Sequence, residues 1–529
     1  MIVPIPPTRR AWPASARKRG DPESLTLLHR FITNAFWNIG GKVFVQCIYF
    51  ALSILISRYL GKEGLGLYAT ILVVPAFMRL LNTLGLEGML NKKLPELDVH
   101  DPTGAEGRFL IKRTLRLRLV SSLTFGVLLY LLLPVYADWA RVPEILPYRP
   151  AILLYFLAVT LTSMFGTLFM TWLRFRVVTV AESVNAVFNL FLLAAFILFD
   201  WGIAGVLFAY ILSTLAQLFL YLTLAQPRLA GPVRPTGMEE VRRLAWTVYG
   251  INLMSIGLWT QSDIILMNYF NVPKAGVGYY HLATSLGGML VFALMGMGQL
   301  AQSLYAEAHA REGEAGLAVT WKMTVTFCAW ITLPAGVFVF AFAPELVAWL
   351  FGPEFAPVSD VFRIYAVYLI TAAVLGSDLN NFALFVLHRR RTALLISFEG
   401  SVWNLILDVL WIPQYGEKGA ALATGSVMVY MVLRQLFALG RVAPLFHVLK
   451  TLLLLFAGAL AALAPGLLIP TAAGNVLILQ LVAFVLTFTL VTRILKPLPP
   501  EVLDWAAKGA PGFVRFLRWF VNPAGFSGR

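Results

Sequence analysis

The side chains best suited to bind a ligand in this sequence are charged and amide groups embedded in long apolar segments. Asn34, Asn38, Lys42 and Gln46 recur every four residues, so a helix would carry them along one slowly drifting face. A charge in the middle of a membrane-spanning helix costs at least about 2.5–3.5 kcal/mol, so Lys42 requires a partner or a function. The spacing is typical of a polar pathway, although amides also join helices by hydrogen bonds across their interface.

A second basic residue follows in the next apolar segment. Arg79 lies close to Asn82 in the sequence, at a predicted depth comparable to that of Lys42 on the neighbouring helix. The two cations predict one basic pocket that would attract an anionic group. Two alternatives stay open, because Arg79 could pair with Glu87, two turns away, or with a carboxylate of another helix.

Ionisable and amide side chains also mark the later segments. Asp263 and Asp378 are the candidates for a proton or coupling-ion site, and pairing with one of the two basic residues is the competing interpretation. Glu182 and Glu399 each follow a basic cluster, which favours local salt bridges for both. Other polar residues of these segments are Gln261, Gln299, Arg363 and Arg434.

The sequence carries none of the motifs that indicate catalysis or cofactor binding. It contains no GxxxxGK[ST] phosphate-binding loop, no CxxC pair and no Cys/His cluster. Cys47 and Cys328 both lie within apolar segments, and no predicted outer loop holds paired carboxylates. We therefore expect no enzymatic activity, no catalytic residue, no metal site and no organic cofactor, with a coupling proton or sodium ion as an open question.

The elements that position these side chains are those of an all-α integral membrane protein. Of the 529 residues, 59% are hydrophobic and 13% are charged, about half the charged fraction of a soluble domain. Segments of about 20 apolar residues suffice to cross a hydrocarbon core about 30 Å thick. We predict about fourteen transmembrane helices. Their ranges are 31–57, 65–90, 115–136, 150–173, 178–200, 203–224, 245–270, 277–305, 321–350, 361–387, 392–412, 418–440, 446–469 and 475–495.

The distribution of basic residues predicts the orientation of these helices. Most of the 42 Lys and Arg residues fall in loops and tails on the same side as the amino terminus. The opposite side receives Arg58, Lys62, Arg141, Arg149, Lys274 and Lys418. The positive-inside rule therefore predicts a protein of the cell inner (cytoplasmic) membrane with both termini in the cytoplasm. Because the net charge of +15 reflects topology, we expect no nucleic-acid partner.

An internal repeat organises the predicted helices. Gly66 matches Gly278 and Asn189 matches Asn404, at offsets of 212 and 215 residues, with further matches in the same order. Each repeat contains six helices, so both copies share one orientation and predict two parallel bundles flanking a pathway. The predicted parts are a basic cytoplasmic tail (1–30), an amino-terminal six-helix lobe (31–224), a cytoplasmic inter-lobe loop (225–244), a carboxy-terminal six-helix lobe (245–440), two additional helices (446–495) and an interfacial amphipathic helix (501–520).

Two segments carry a resemblance to a known family. The sequence ISRYLGKEGLGLYATILVVPAFMRLLNTLGLEGMLNKKLPEL (56–97) closely resembles the first-to-second-helix signature of Wzx-type polysaccharide flippases. The sequence SDIILMNYFNVPKAGVGYYHLAT (262–284) resembles the second-bundle copy of that signature. These proteins belong to the multidrug/oligosaccharidyl-lipid/polysaccharide exporter (MOP) superfamily. Over residues 30–440, the resemblance implies two six-helix lobes that rock about a central cavity and flip a polyprenyl-diphosphate-linked oligosaccharide to the outer leaflet.

The resemblance also implies roles and partners. Lys42 and Arg79 would bind the diphosphate, Arg434 would line the inner mouth and Arg363 the outer one. Sugar hydroxyls would contact Asn34, Asn38, Asn82, Gln261 and Gln299. Expected partners are the lipid-linked oligosaccharide, membrane lipid, and a polysaccharide polymerase or glycosyltransferases. Two alternatives stay open: an ion-coupled exporter of small amphipathic molecules, and a membrane scaffold of a polysaccharide-synthesis complex that transports nothing.

Overall fold

The computed structural model describes residues 22–101, 103–235, parts of 237–250, 262–469, 476–498 and 518–521. Within these ranges the regular structure is helical, apart from one isolated bridge between Leu498 and Val521. The side chains of Asn34, Asn38 and Gln299, and the whole of Gln261, lie outside the described part of the chain, so their proposed roles stay predictions.

Short connections join consecutive helices, except across the segments 230–261 and 468–475, which the structure describes only in part. They are α1 (Pro22–Leu81), α2 (Leu86–His100), α3 (Ala105–Trp139), α4 (Arg149–Thr171), α5 (Phe175–Leu198), α6 (Gly202–Leu229), α7 (Ser262–Tyr269), α8 (Lys274–Ala341), α9 (Ala343–Phe351), α10 (Val358–Val374), α11 (Ser377–Val386), α12 (Arg390–Tyr415), α13 (Glu417–Leu439), α14 (Leu445–Leu467) and α15 (Val476–Leu495). We refer to α1–α6 as the first half and to α7–α13 as the second half.

Glycines break the two longest helices into arms. Helix α1 is kinked at Gly61 (φ 65°) and α8 at Gly313 (φ 65°), in a left-handed conformation that costs glycine little. The Gly61 kink separates the predicted spans 31–57 and 65–90. We call the end of the molecule that contains this kink the Gly61 side, and the opposite end, which contains the other kink, the Gly313 side.

The predicted all-α membrane class is confirmed, whereas the number of spans is not settled. Eleven helices in the described residues are long and apolar enough to cross a membrane. One of them, Gly40–Leu81, covers parts of two predicted spans, and most of the predicted span 245–270 lies outside the described residues. The predicted span 277–305 forms part of α8. The chain is a multi-pass membrane protein, and the count of fourteen stays a prediction.

The hydrophobic cores show where the two halves meet. The largest cluster lies on the Gly61 side and joins first-half residues such as Leu52 and Tyr68 to second-half residues such as Val277 and Phe351. On the Gly313 side, one cluster belongs to the first half, with Ala245 as an added member, and another belongs to the second half and the start of α14. Among the side chains that the structure describes, the halves therefore share a core on the Gly61 side and keep separate cores on the Gly313 side.

Two glycines bring the backbones of the halves together on the Gly61 side. A Cβ atom on Gly66 would lie 1.8 Å from the carbonyl oxygen of Lys274, and one on Gly278 would lie 2.7 Å from that of Lys62. The repeat offset of 212 residues relates both the glycines and the lysines. The contact is thus symmetric within the repeat, and it exists because neither glycine carries a side chain.

The helices beyond the repeat pack on the second half. Helices α14 and α15 share a core with α8 that includes Phe338, Leu455 and Phe484. The predicted interfacial helix at 501–520 lies mostly outside the described residues. At its described end, Phe520 is buried with its ring 5.1 Å from that of Trp330.

Candidate functional site

Arg79, in the last turn of the second arm of α1, has an exposed side chain that lines two cavities. The first, which we call the central cavity, has a volume of about 450 Å³ and lies between the halves. Its wall combines Arg79 and Tyr155 with Asp263, Tyr280 and His281 of the second half. The cationic group of this cavity therefore comes from the first half and the acidic group from the second half.

The second space, which we call the first-half cavity, has a volume of about 710 Å³. Residues of α1, α2, α4, α5 and α6 form its wall, among them Glu87, Glu182 and Tyr221. Arg79 and Tyr155 line both cavities, so they mark the boundary between the two spaces.

Arg79 has no hydrogen bond or ion pair among the residues that the structure describes. Its nearest predicted partner, Glu87, is bound to Arg118 instead, at 2.7 Å, and accepts a hydrogen bond from Ser163 at 3.1 Å. Arg118 is fully buried and also donates to the carbonyl oxygen of Asn82. The alternative that Glu87 neutralises Arg79 is therefore not what the structure shows, and Arg79 is available to a ligand.

Lys42 lies at the same depth as Arg79 but on the other arm of α1. The two residues are 19 positions before and 18 positions after Gly61, which at about 1.5 Å per residue places both about 27–29 Å from the kink. The Lys42 side chain is exposed and interacts electrostatically with Glu182 on α5. Arg79 lines both cavities and Lys42 lines neither, so a basic pocket that includes Lys42 stays a prediction.

Asp263 lies at the start of α7 in a buried polar cluster of the second half. The Asn404 amide donates to Asp263 Oδ1 at 3.0 Å and to Asp408 Oδ2 at 2.7 Å, and so bridges the two carboxylates. Thr424 donates to Asp263 Oδ2 at 2.8 Å, and the Tyr280 hydroxyl donates to the same oxygen. Asp408 is fully buried, and Asp263 is 6% exposed.

This cluster can hold a proton or a small cation. The described side chains that donate hydrogen bonds to the two carboxylates are neutral, and Asp408 Oδ1 is buried without a hydrogen-bond partner among the described residues. Two buried like charges with neutral neighbours repel one another and lose their hydration, so they require a proton or a countercharge. Carboxylate, amide and hydroxyl oxygens are the ligands that hard cations prefer.

The other predicted site residues lie elsewhere. Asn82 is buried and donates to Ser122 at 2.9 Å, which places its amide in the packing between α1 and α3. Arg363 donates to the carbonyl oxygens of Phe340 and Ala341 at the end of α8. Arg434 forms a bidentate ion pair with Glu399, both N–O distances being 3.2 Å. Asp378, at the start of α11, is absent from the Asp263 cluster. None of these residues lines the two cavities.

Sequence reasoning missed most members of the acidic cluster. Asn404 and Asp408 are four residues apart on α12, a spacing that places both on one face of a helix. Asn404 was visible as the repeat match to Asn189, but the repeat alone did not indicate that it meets Asp263. His281, which lines the central cavity, carried no signal beyond its residue type.

Comparison with known proteins identifies the family. A model of the family described as polysaccharide biosynthesis protein matches residues 55–360, which is more than half of the chain. The chain belongs to the polysaccharide biosynthesis protein family. Both segments that carry the resemblance, 56–97 and 262–284, fall within the match, so that resemblance is confirmed. No curated protein sequence matches this member of the family.

Solved structures agree with the family assignment at the level of fold. The family member is similar to the lipid II flippase MurJ in an inward closed conformation, with a TM-score of 0.71, 16% identity, and coverage of 86% of this chain and 97% of that chain. It is also similar to an inward-facing multidrug resistance MATE family transporter of the MOP superfamily, with a TM-score of 0.65, 16% identity, and coverage of 75% and 94%. An outward-facing MATE family transporter gives a TM-score of 0.57 at 16% identity, covering 80% and 96%. The chain therefore has the fold of MOP-superfamily transporters.

Proposed function

We propose that this protein is a flippase that moves a polyprenyl-diphosphate-linked oligosaccharide across the cytoplasmic membrane for surface polysaccharide biosynthesis. The observation that carries the proposal is Arg79, a guanidinium that lines both cavities and has no partner among the described side chains. Guanidinium groups match phosphate oxygens in geometry and stay charged at every physiological pH. The family supplies the polysaccharide context, and a lipid II flippase has the same fold.

Alternating access is the mechanism that the contacts between the halves support. The shared core and the Gly66–Gly278 contact close the Gly61 side, whereas the cores formed by the described side chains of the two halves are separate on the Gly313 side. Transport requires the glycine contact to open and the Gly313 side to close. By the positive-inside rule, the Gly61 side faces the cell exterior and both termini are cytoplasmic. The lipid-linked substrate would then arrive from cytoplasmic glycosyltransferases.

The Asp263–Asp408 cluster is the proposed coupling-ion site. It is buried in the second half, and Asp263 also lines the central cavity opposite Arg79. A proton or sodium ion bound there would alter the charge that faces Arg79 and would therefore couple ion binding to diphosphate binding. Asp378 has no such neighbouring carboxylate in the described contacts, and we place it outside this site.

Purified protein in liposomes that contain a fluorescent polyprenyl-diphosphate oligosaccharide tests the proposal. The quantity measured is the fraction of label that becomes accessible to a quencher across the membrane with time. We expect Arg79→Ala to slow translocation at least tenfold, because a charge-assisted contact contributes about 1.5–3 kcal/mol. Arg311→Ala, which removes one exposed positive charge outside both cavities, is the matched control and leaves the rate unchanged. Equal rates for the wild type and Arg79→Ala would contradict the proposal.

An ion-coupled exporter of small amphipathic molecules is the second candidate, and the acidic cluster is the observation that favours it. A multidrug transporter also shares the fold. This candidate predicts that a soluble substrate moves across the membrane, that Asp263→Asn abolishes the movement, and that Arg79→Ala has little effect. The liposome assay with both substrate types therefore separates the two candidates.

A further inference from the structure

The first-half cavity contains more hydrogen-bonding groups than a diphosphate needs. Of its 19 lining residues, 14 carry a polar side chain. Its volume of about 710 Å³ falls within the range of about 300–1,000 Å³ that accommodates drug-sized ligands. A neutral ligand rich in hydroxyl groups would match such a wall better than an isoprenoid chain would.

Glu182 is the acidic group of this cavity that lacks a close partner. Glu87, the other glutamate in the wall, is held by Arg118 at 2.7 Å. Glu182 has no hydrogen bond or ion pair among the described residues, and its neighbour Lys42 acts on it through the longer-range electrostatic interaction. An ionised carboxylate without a close partner can accept two charge-assisted hydrogen bonds from hydroxyl groups.

The repeat explains why Glu182 and Glu399 differ. Asn189 and Asn404 fix the offset between α5 and α12 at 215 residues, which makes Ser397 the counterpart of Glu182. Glu399 thus lies two positions further along its helix, and two residues turn a helix by about 200°. This rotation lets Glu399 meet Arg434 and Tyr430, whereas Glu182 points into the cavity. The local salt bridge expected for both glutamates is therefore present at Glu399 and absent at Glu182 in the described contacts.

Two neighbouring groups complete a surface for sugar hydroxyls. The Tyr155 hydroxyl has no hydrogen-bond partner among the described residues, and Tyr155 lies beside Arg79 at the boundary of the two cavities. Asn185 accepts from Tyr49 through Oδ1 at 3.0 Å, which leaves its NH₂ group to donate to a ligand. The cavity thus offers both donors and acceptors next to the cation.

We propose that the first-half cavity binds the sugar residues adjacent to the diphosphate. Glu182, Tyr155 and Asn185 hydrogen-bond ring hydroxyls while Arg79 holds the diphosphate at the boundary with the central cavity. This inference rests on the proposed flippase function. It assigns sugar recognition to α4 and α5 rather than to Asn82, which is occupied in helix packing.

Binding of three water-soluble lipid analogues to the purified full-length protein tests the assignment. The probes are farnesyl diphosphate and farnesyl diphosphate carrying N-acetylglucosamine or galactose, so that one hexose stereochemistry does not decide the result. We expect the wild type to bind at least one glycosylated probe about 10- to 100-fold more tightly than farnesyl diphosphate, as hydrogen bonds to a charged group would give. Calorimetric titration in detergent gives each Kd.

Three variants locate the gain in affinity. Glu182→Gln should remove most of the preference for the glycosylated probe and leave the Kd of farnesyl diphosphate unchanged. Glu399→Gln, with its carboxylate outside the cavity, is the matched control and should retain the preference. Arg79→Ala should weaken the binding of farnesyl diphosphate and of the glycosylated probes. A thermal unfolding curve for each variant confirms that it is folded.

Two results would overturn the assignment: equal affinity of the wild type for all probes, or a loss in Glu182→Gln that is the same for both kinds of probe. A different result would refute the proposed function itself. If Arg79→Ala bound farnesyl diphosphate as tightly as the wild type does, the diphosphate site would be wrong whatever the sugar preference.

Discussion

Replacement of Gly66 by alanine would place a methyl group where α1 and α8 touch on the Gly61 side. Its Cβ would lie 1.8 Å from the Lys274 carbonyl oxygen, whereas Cβ contacts shorter than 3.0 Å essentially never occur. The two backbones would therefore have to separate by at least about 1.2 Å. Overpacking of this kind costs about 1–3 kcal/mol. The cost applies to the conformation in which the Gly61 side is closed, because the contact is absent once the halves part.

This free-energy cost lowers the population of the conformation in which the Gly61 side is closed. Since each 1.4 kcal/mol is a factor of ten, Gly66→Ala should shift the equilibrium away from the closed Gly61 side by about 5- to 150-fold. Gly278→Ala should act in the same direction but more weakly, because its Cβ would be 2.7 Å from the Lys62 carbonyl oxygen. Gly40→Ala, on the same helix as Gly66 with open space around its Cβ position, is the matched control.

Double electron–electron resonance on spin-labelled protein can detect this shift in the conformational equilibrium. Labels on cysteines at the exposed positions Glu63 and Glu354 report the separation of the halves on the Gly61 side, with Cys47 and Cys328 replaced by serine. The wild type should show mainly a short distance, and Gly66→Ala should add a longer one. Unchanged distance distributions in both glycine variants would refute the idea that this contact closes the Gly61 side.

Two further predictions concern the buried ionic groups. The free energy of unfolding of the wild type should rise by about 2.7 kcal/mol when the coupling ion, a proton or sodium, is present at 100 times its Kd. Asp408→Asn should abolish this dependence, because a neutral amide needs no countercharge. An identical ion dependence of thermal unfolding in the variant would exclude the acidic cluster as the ion site. Glu87→Gln should destabilise the protein by about 3–5 kcal/mol, because it leaves the fully buried Arg118 without its ion-pair partner. Arg118→Met should destabilise it less, since Glu87 is partly exposed to the first-half cavity. If chemical or thermal unfolding ranked the two variants in the opposite order, the ion pair would not have the role described for it.

The sequence predicted those features of the fold that depend on long-range pattern. Apolar segment length indicated the all-α membrane class, and the repeat indicated the relation between Gly66 and Gly278. The number of spans stays a prediction: Gly61 divides α1 into two arms, in agreement with the predicted spans 31–57 and 65–90, but most of the predicted span 245–270 lies outside the described residues. Hydropathy records how apolar a segment is and carries no information on whether two segments join as one kinked helix.

The candidate site was predictable only in part, for a physical reason. Helical periodicity relates residues of the same helix, and it indicated that Lys42 has polar neighbours on its face. It does not indicate which face meets a cavity: Asn82 is three residues from Arg79 and yet hydrogen bonds to Ser122 in helix packing. Helical periodicity also does not indicate contacts between residues of different helices, such as the ion pair that Glu87 forms with Arg118 rather than with Arg79.

The second acidic residue of the ion site illustrates the same point. Asp263 was a candidate because it is ionisable and lies in a long apolar segment, but Asp408 lies 145 residues later, and Asn404 joins them only in the folded protein. A buried aspartate near the end of a predicted span has many interpretations until its neighbours are known.

The proposed function requires that Arg79 binds the diphosphate of a lipid-linked oligosaccharide between the two cavities. A cryo-electron microscopy structure of the purified protein with a polyprenyl-diphosphate oligosaccharide would show this contact. We expect density for the two phosphates within hydrogen-bonding distance of the Arg79 guanidinium, at the boundary that Tyr155 also lines. Density for the phosphates outside both cavities, for example between α14 and α15, with Arg79 contacting no ligand, would contradict it.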